Sequence, residues 1–201
     1  MRPDVSALIL AGGRATRLGG VDKRELVVEG RTIFERQLAV LLPRLAEIIV
    51  SSPKPIPGYR TVTDVVADAG PLSGIAAGVA AAATPWLFVV AGDMPYIDGP
   101  FVDLVLSHLD DADTLPIDAV GIRIGGLPEP LVCVLRCATC APVLAARLAR
   151  GDRKASRLLT DGELRVRWIE EPVLRAVDPE LRALFNVNTP DDLTRSGRQP
   201  K

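Results

Sequence analysis

The run Val5-Ser6-Ala7-Leu8-Ile9-Leu10, continued by Ala11-Gly12-Gly13-Arg14-Ala15-Thr16-Arg17-Leu18-Gly19-Gly20-Val21-Asp22-Lys23, decides how the chain folds. Six mainly apolar residues predict a strand buried on both faces, as the strands of a parallel sheet are. The four glycines that follow let backbone amides turn inward on a phosphate chain, and Arg14, Arg17 and Lys23 add positive charge. A glycine-rich turn at the end of a buried strand is built for a nucleotide. It is not a Walker loop, because Asp22 stands between Gly20 and Lys23 and Arg24 follows the lysine. It also lacks the G-x-G-x-x-G spacing of a dinucleotide site.

Outward from this segment, apolar runs alternate with amphipathic stretches, which predicts an α/β fold: a three-layer, Rossmann-like, mixed but mostly parallel sheet. A helix is expected from about Thr32 to Leu42, with Ile33, Gln37, Val40 and Leu41 mixing a buried and a solvated face. Strands are expected over Glu47 to Ser51, near Arg60 to Thr63, and over Trp86 to Ala91, the last delivering Gly92-Asp93 to its carboxyl end. Between them, Leu72 to Ala83 reads as a small-residue helix. From Ala69 to Gly92 there is no charged residue, but Pro85 divides the stretch, so it is a buried helix and a buried strand rather than a membrane span. Further along come a helix ending near His108, a strand pair at Ala119 to Ile124 and Leu131 to Leu135, and helices around Ala141 to Ala149 and Arg153 to Thr160. A strand at Arg165 to Ile169 follows, and Thr189-Pro190-Asp191-Asp192 reads as a helix start.

Composition narrows the function. With 201 residues, 48% hydrophobic and 24% charged, the chain is expected to fold as one domain over 1–201 rather than to be disordered. A net charge of −1 gives no general attraction to nucleic acid or to anionic membrane, and aromatics at 4% offer no stacking platform for bases. Any anion must be held locally. The opening apolar run is too short for a signal-peptide core, and three cysteines cannot complete an intramolecular disulfide framework, so a cytoplasmic location is expected. Cys133, Cys137 and Cys140 read C-x3-C-x2-C, open to an iron–sulfur reading or to burial as small hydrophobes; Cys133 lies in the strand-like Leu131-Val132-Cys133-Val134-Leu135, which favours burial. With His108 the single histidine, no zinc set is evident.

The residues also carry a family likeness. Leu8-Ile9-Leu10-Ala11-Gly12-Gly13, then Arg17-Leu18-Gly19-Gly20 and Asp22-Lys23, resemble the signature of nucleotidyltransferases with the nucleotide-diphospho-sugar transferase fold, and specifically the molybdenum cofactor guanylyltransferases. Asp64, Gly70-Pro71-Leu72-Ser73-Gly74, Gly92-Asp93-Met94-Pro95-Tyr96, Gly151-Asp152-Arg153 and Asn186-Val187-Asn188-Thr189-Pro190 follow in the expected order over nearly the whole chain.

The resemblance implies transfer of GMP from GTP to the phosphate of molybdopterin, with release of pyrophosphate. It implies Lys23, Arg17 and Asp93 as catalytic residues, with Asp93 holding Mg2+. It further implies Leu10, Ala11, Gly12, Gly13, Lys23, Ser51, Asp64, Gly74 and Asp93 around the nucleotide, and Arg153, Asn186 and Asn188 toward the pterin. Residues 1–100 would serve mainly the nucleotide and 101–195 mainly the pterin substrate, with cofactor-delivery proteins as further partners and neither nucleic acid nor membrane among them. From the residues alone, alternatives stay open. Asn188 or Thr189 can serve as a helix cap, and Arg153, Lys154 and Arg157 can be a solvated face or a phosphate site. Three departures stand out: Arg24 where the family usually has a small residue, Ser51 in place of asparagine, and Glu129 in place of glutamine. Cytidylyl transfer, nucleotidyl transfer to a sugar phosphate, and a catalytically silent molybdopterin-binding scaffold are the competing functions.

Overall fold

The computed structural model describes residues 1–11, 23–66, 70–110, 116–189 and 192. Gly12, Gly13 and Arg17 lie outside the described residues, as do Pro190 and Asp191 of the expected C-terminal helix start.

Strand β1 (Val5–Leu10) is followed, after a 3-10 turn at Lys23–Glu25, by a small hairpin of β2 (Val27–Val28) and β3 (Arg31–Thr32). Helix α1 (Ile33–Leu41) starts there because Thr32 and Glu35 cap each other: the Glu35 N–H donates to the Thr32 hydroxyl and the Thr32 N–H donates to the Glu35 carboxylate. Ile33, Gln37 and Leu41 recur at a spacing of four and are its buried face, while Val40 is partly exposed. Then come β4 (Ile48–Ser51), β5 (Arg60–Val62), α2 (Pro71–Ala81), β6 (Trp86–Ala91) and α3 (Gly99–Ser107). The remainder is β7 (Ala119–Ile124), β8 (Leu127–Arg136), α4 (Cys137–Ala149), α5 (Ala155–Thr160), β9 (Val166–Glu170) and α6 (Glu171–Arg175).

Seven strands form one sheet in the order β5-β4-β1-β6-β8-β7-β9. Only β8 runs against its neighbours, pairing antiparallel with β6 and β7; the remaining pairs are parallel. The mixed, mostly parallel expectation is therefore met. Side chains of β1 and β6 alternate between two apolar cores. Val5, Ala7, Ile9, Phe88 and Val90 pack with Leu41, Phe101, Val102 and Val105 on the α1 and α3 face. Leu8, Leu87 and Val89 pack with Leu72, Ile75, Leu144 and Leu158 on the α2, α4 and α5 face. Helices on both faces of the sheet make three layers.

Boundaries differ where tertiary contacts extend or trim an element. β8 begins four residues before its expected start because Gly125 and Gly126, both at positive φ, close a tight hairpin with β7. α4 gains a turn because its first residues are anchored: the Cys137 N–H donates to Pro85 O, and Cys140 is fully buried. α5 starts at Ala155 rather than Arg153, since the Lys154 N–H is taken by the Asp152 carboxylate. The three thiols are free and sit on β8 and α4; among the described residues no group of three or more His, Cys, Asp or Glu side chains converges as a metal site. No helix among the described residues is long and apolar enough to cross a membrane.

Candidate nucleotide site at the carboxyl edge of the sheet

From β1 the chain crosses to β4 and β5 on one side and returns to β6 on the other, so the strand order reverses at β1. Loops leaving the carboxyl ends on either side of such a point diverge and leave a crevice between them. The edges are locked together there: the Ala11 N–H donates to Ser51 O and the Gly92 N–H donates to Leu10 O, each at 2.9 Å. Gly92 has to be a glycine at this contact, because a Cβ would meet Leu10 O at 2.8 Å.

A cleft opens above these ends. Leu10, Ala11, Ser51, Asp64, Gly74 and Asp93, all expected at the nucleotide, line it together with Arg24, Gly70, Pro71 and Leu131. The fit around Gly74 is tight, since a Cβ on it would come within 2.7 Å of Ser51 Oγ and 3.4 Å of Asp64 Oδ1. Lys23 opens the 3-10 turn beside Arg24.

Asp93 stands two residues past the end of β6, with one carboxylate oxygen buried. Its backbone carbonyl accepts the Val187 N–H at 2.9 Å, which ties Asn186-Val187-Asn188 to the cleft. Val187 is fully buried beside Val28 and Ile33, leaving the flanking asparagines outside the core: Asn186 half-buried, Asn188 exposed. The expected capping contact also forms, for the Asp192 N–H donates to the Thr189 hydroxyl, while the Asp192 carboxylate accepts the N–H groups of Asn188 and Thr189. Arg153 lines a different surface cavity, but its carbonyl sits where a Cβ on Gly70 would approach to 3.4 Å, so the two cavities share a wall.

Two residues of the site had not been singled out as binding residues. Glu129, half-buried on β8, feels the charge of Asp93; burial above all, with a smaller push from that charge, holds its carboxyl above the usual range against the opposing hydrogen bond from the Leu131 N–H. The sequence showed Glu129 only as a departure from family habit; its nearness to Asp93 depends on β8 running antiparallel to β6. Gln37 is the second. Fully buried, it donates from Nε2 to Ala91 O at 2.7 Å and to Met94 O at 3.2 Å, bracketing Asp93 from below. A polar residue in an otherwise apolar helix stripe was the available signal.

A family model described as MobA-like NTP transferase domain matches residues 7–167. A probable molybdenum cofactor guanylyltransferase of Methanosarcina mazei is 35% identical, the match covering 94% of this chain and 88% of the relative. A molybdenum cofactor guanylyltransferase of Pseudomonas syringae pv. tomato is 34% identical over 94% of this chain and 90% of the relative. Among solved structures, molybdopterin-guanine dinucleotide biosynthesis protein A of Archaeoglobus fulgidus superposes with a TM-score of 0.77 at 26% identity, covering 96% of each chain. The fold is also that of 2-C-methyl-D-erythritol 4-phosphate cytidylyltransferase of Thermus thermophilus, at TM-score 0.66 and 20% identity, covering 94% of this chain and 96% of that one.

Proposed function

The chain belongs to the MobA-like NTP transferase family, and from that premise we propose that it transfers GMP from GTP to the terminal phosphate of molybdopterin. An oxygen of that phosphate attacks the α-phosphorus of GTP, the bond from α-phosphorus to the bridging oxygen breaks, and pyrophosphate leaves with the electron pair. Two anions must meet in line, so neutralising charge and fixing position are the main catalytic tasks. The observation that carries this reading is the bond from the Val187 N–H to the Asp93 carbonyl. It holds the asparagine pair from the far end of the chain beside the carboxyl ends of β6 and β1, so in this reading groups for two substrates meet at one edge.

In this reading the amides of Ala11, Gly12 and Gly13 hold the phosphates, with Leu10, Ser51, Asp64 and Gly74 around the nucleoside. Lys23 and Arg17 neutralise the transferring group; Asn186, Asn188 and Arg153 meet the pterin substrate. Residues 1–100 in this reading serve mainly the nucleotide and 101–195 mainly the pterin, within one domain. Asp93, with Glu129 close enough to feel its charge, offers hard oxygen donors and excess negative charge. One or two carboxylates completed by nucleotide oxygens and water suit Mg2+. When bound, the ion offsets charge on the triphosphate. The free thiols fit a reducing compartment, and the cytoplasm is the location proposed.

Pyrophosphate release with GTP and molybdopterin tests the proposal. Wild type is expected to turn over with GTP and not with CTP, while Lys23→Ala and Asp93→Ala each lose on the order of 100-fold or more in kcat. Turnover with CTP alone, or unaltered rates in both variants, overturns it.

A further inference from the structure

Arg147 is a fully buried arginine in the last turn of α4, 1% exposed. Its Nη1 donates to Asp152 Oδ2 at 2.8 Å and to Asp161 Oδ2 at 3.2 Å, and its Nη2 lies 2.5 Å from Glu163 Oε2. Its Nε is buried with no hydrogen-bond partner. For stability alone this is a poor use of a buried position, because apolar residues of similar volume commonly do as well or better than a buried ion cluster. What the cluster does achieve is placement.

Asp152 is held at three points. Its N–H donates to Arg147 O at 3.0 Å, its Oδ2 accepts from Arg147, and its Oδ1 accepts the Lys154 N–H at 3.2 Å. The turn from Gly151 to Lys154 is therefore pinned to the end of α4. That pinning sets the Arg153 carbonyl against Gly70 at the start of α2, and leaves Arg153, Lys154 and Arg157 exposed on a surface cavity of about 550 Å³. The carboxylates of that cavity, Asp152, Asp161 and Glu163, all face Arg147. Arg147 and Arg150, whose Nη2 lies 3.1 Å from Glu163 Oε1, offset part of that charge. With Arg153, Lys154 and Arg157 also on the cavity, its five cations outnumber its three carboxylates, so the net field of the turn is positive.

We infer that Arg147 is a positioning residue for the phosphate-bearing second substrate, acting through Asp152 to hold the basic turn 151–154 beside the nucleotide cleft. This rests on the reading of Arg153 as a contact to the pterin phosphate. Asp152→Asn cuts the tie to the turn while leaving Arg147 with Asp161 and Glu163. Arg147→Lys keeps the charge but loses the two-pronged geometry.

Both variants are expected to raise KM for molybdopterin about fivefold, the scale of one ordinary hydrogen bond, with kcat and KM for GTP within about twofold. In an Arg153→Ala background, Asp152→Asn is expected to add less than about twofold, since residues acting as one unit are not additive. Amide hydrogen exchange over residues 152–157 is expected to speed up in Asp152→Asn, with β1 and α2 unchanged. An unaltered molybdopterin KM with unaltered exchange overturns the inference, as does an equal rise in both KM values. If wild type shows no turnover of GTP and molybdopterin, the guanylyl-transfer reading fails by itself. Exchange over 152–157 then still decides whether the turn is held by Asp152: faster exchange in Asp152→Asn upholds the clamp, and unchanged exchange removes it.

Discussion

Gly74 lies against Ser51 with no room for a methyl group between them: a Cβ at position 74 would meet Ser51 Oγ at 2.7 Å and Leu10 Cδ2 at 3.1 Å. The first turn of α2 therefore comes within contact distance of the ends of β1 and β4, and the cleft is narrow because residue 74 has no side chain. Gly74→Ala gains helix propensity of about 1 kcal/mol but must displace the serine hydroxyl or the helix itself. Such overpacking typically costs about 1–3 kcal/mol. We expect a modest fall in Tm and a rise of about tenfold in KM for GTP. Adding Ser51→Ala removes the atom in the way, so the double variant is expected to recover the lost Tm while GTP binding stays weak. A double variant no more stable than Gly74→Ala would show that the crowding lies elsewhere.

Gln37 is a strut beneath the catalytic edge. Its amide nitrogen serves two carbonyls, Ala91 O and Met94 O, on either side of Asp93, while its Oε1 is buried without a partner. Gln37→Leu leaves both carbonyls unpaired in the core and is expected to lose about 1–3 kcal/mol. Gln37→Glu should be worse, because an ionised carboxylate has no proton to donate and would face two carbonyl oxygens. Urea denaturation of the three proteins checks the order, wild type above Leu above Glu. Turnover should fall in both variants at temperatures where each remains folded, because the segment holding Asp93 is no longer tied to α1.

How much of this was legible beforehand depended on whether a feature was local. β1 and β6 have the expected bounds because each is a mainly apolar run of six residues with glycine close behind it in the sequence. Asp93 could be picked out because it ends such a run. The β2–β3 hairpin could not: its strands are two residues long, and Glu29 enters the turn at positive φ, where a glycine or asparagine would have signalled it. Glu129 and Arg147 depend on partners distant in the fold or on burial. A basic residue in the last turn of a helix ordinarily favours the dipole and faces water. Only the convergence of Asp152, Asp161 and Glu163 turns Arg147 inward.

Asp118 and Arg165 fasten the start of the β7–β9 pairing. Asp118 Oδ2 accepts from Arg165 N and Nε at 2.9 and 2.8 Å, and Oδ1 accepts from Nη2 at 2.9 Å. The guanidinium, outweighing the opposing effect of burial, brings the Asp118 carboxyl from its ordinary 3.8 down to about 2. A carboxylate whose folded value is depressed contributes stability that is complete above its unfolded value and disappears as pH falls through the folded one. The Tm of wild type is therefore expected to exceed that of Asp118→Asn by a few degrees, roughly 2–5 °C, from neutral pH down to about pH 4. The gap should close as pH approaches 2. A gap of constant size across that range would mean that the pair's charge is not what holds the strands.

The cysteines supply a test that separates burial from ligation. Burial, ahead of every other influence, pushes the Cys137 thiol up to about 11 and the Cys140 thiol up to about 12, and raises Cys133 further still. All three stay protonated at pH 8, where a thiol on a metal would be deprotonated. Iodoacetamide at that pH is expected to modify the native protein slowly at each thiol, with partly exposed Cys137 first, and all three rapidly once the chain is unfolded in guanidinium. Anaerobically purified protein is expected to be colourless and free of iron. Rapid alkylation of Cys133 or Cys140 in the folded protein, or iron-dependent visible absorbance, would contradict the packing of β8 against α4 on which the core of the α2, α4 and α5 face depends.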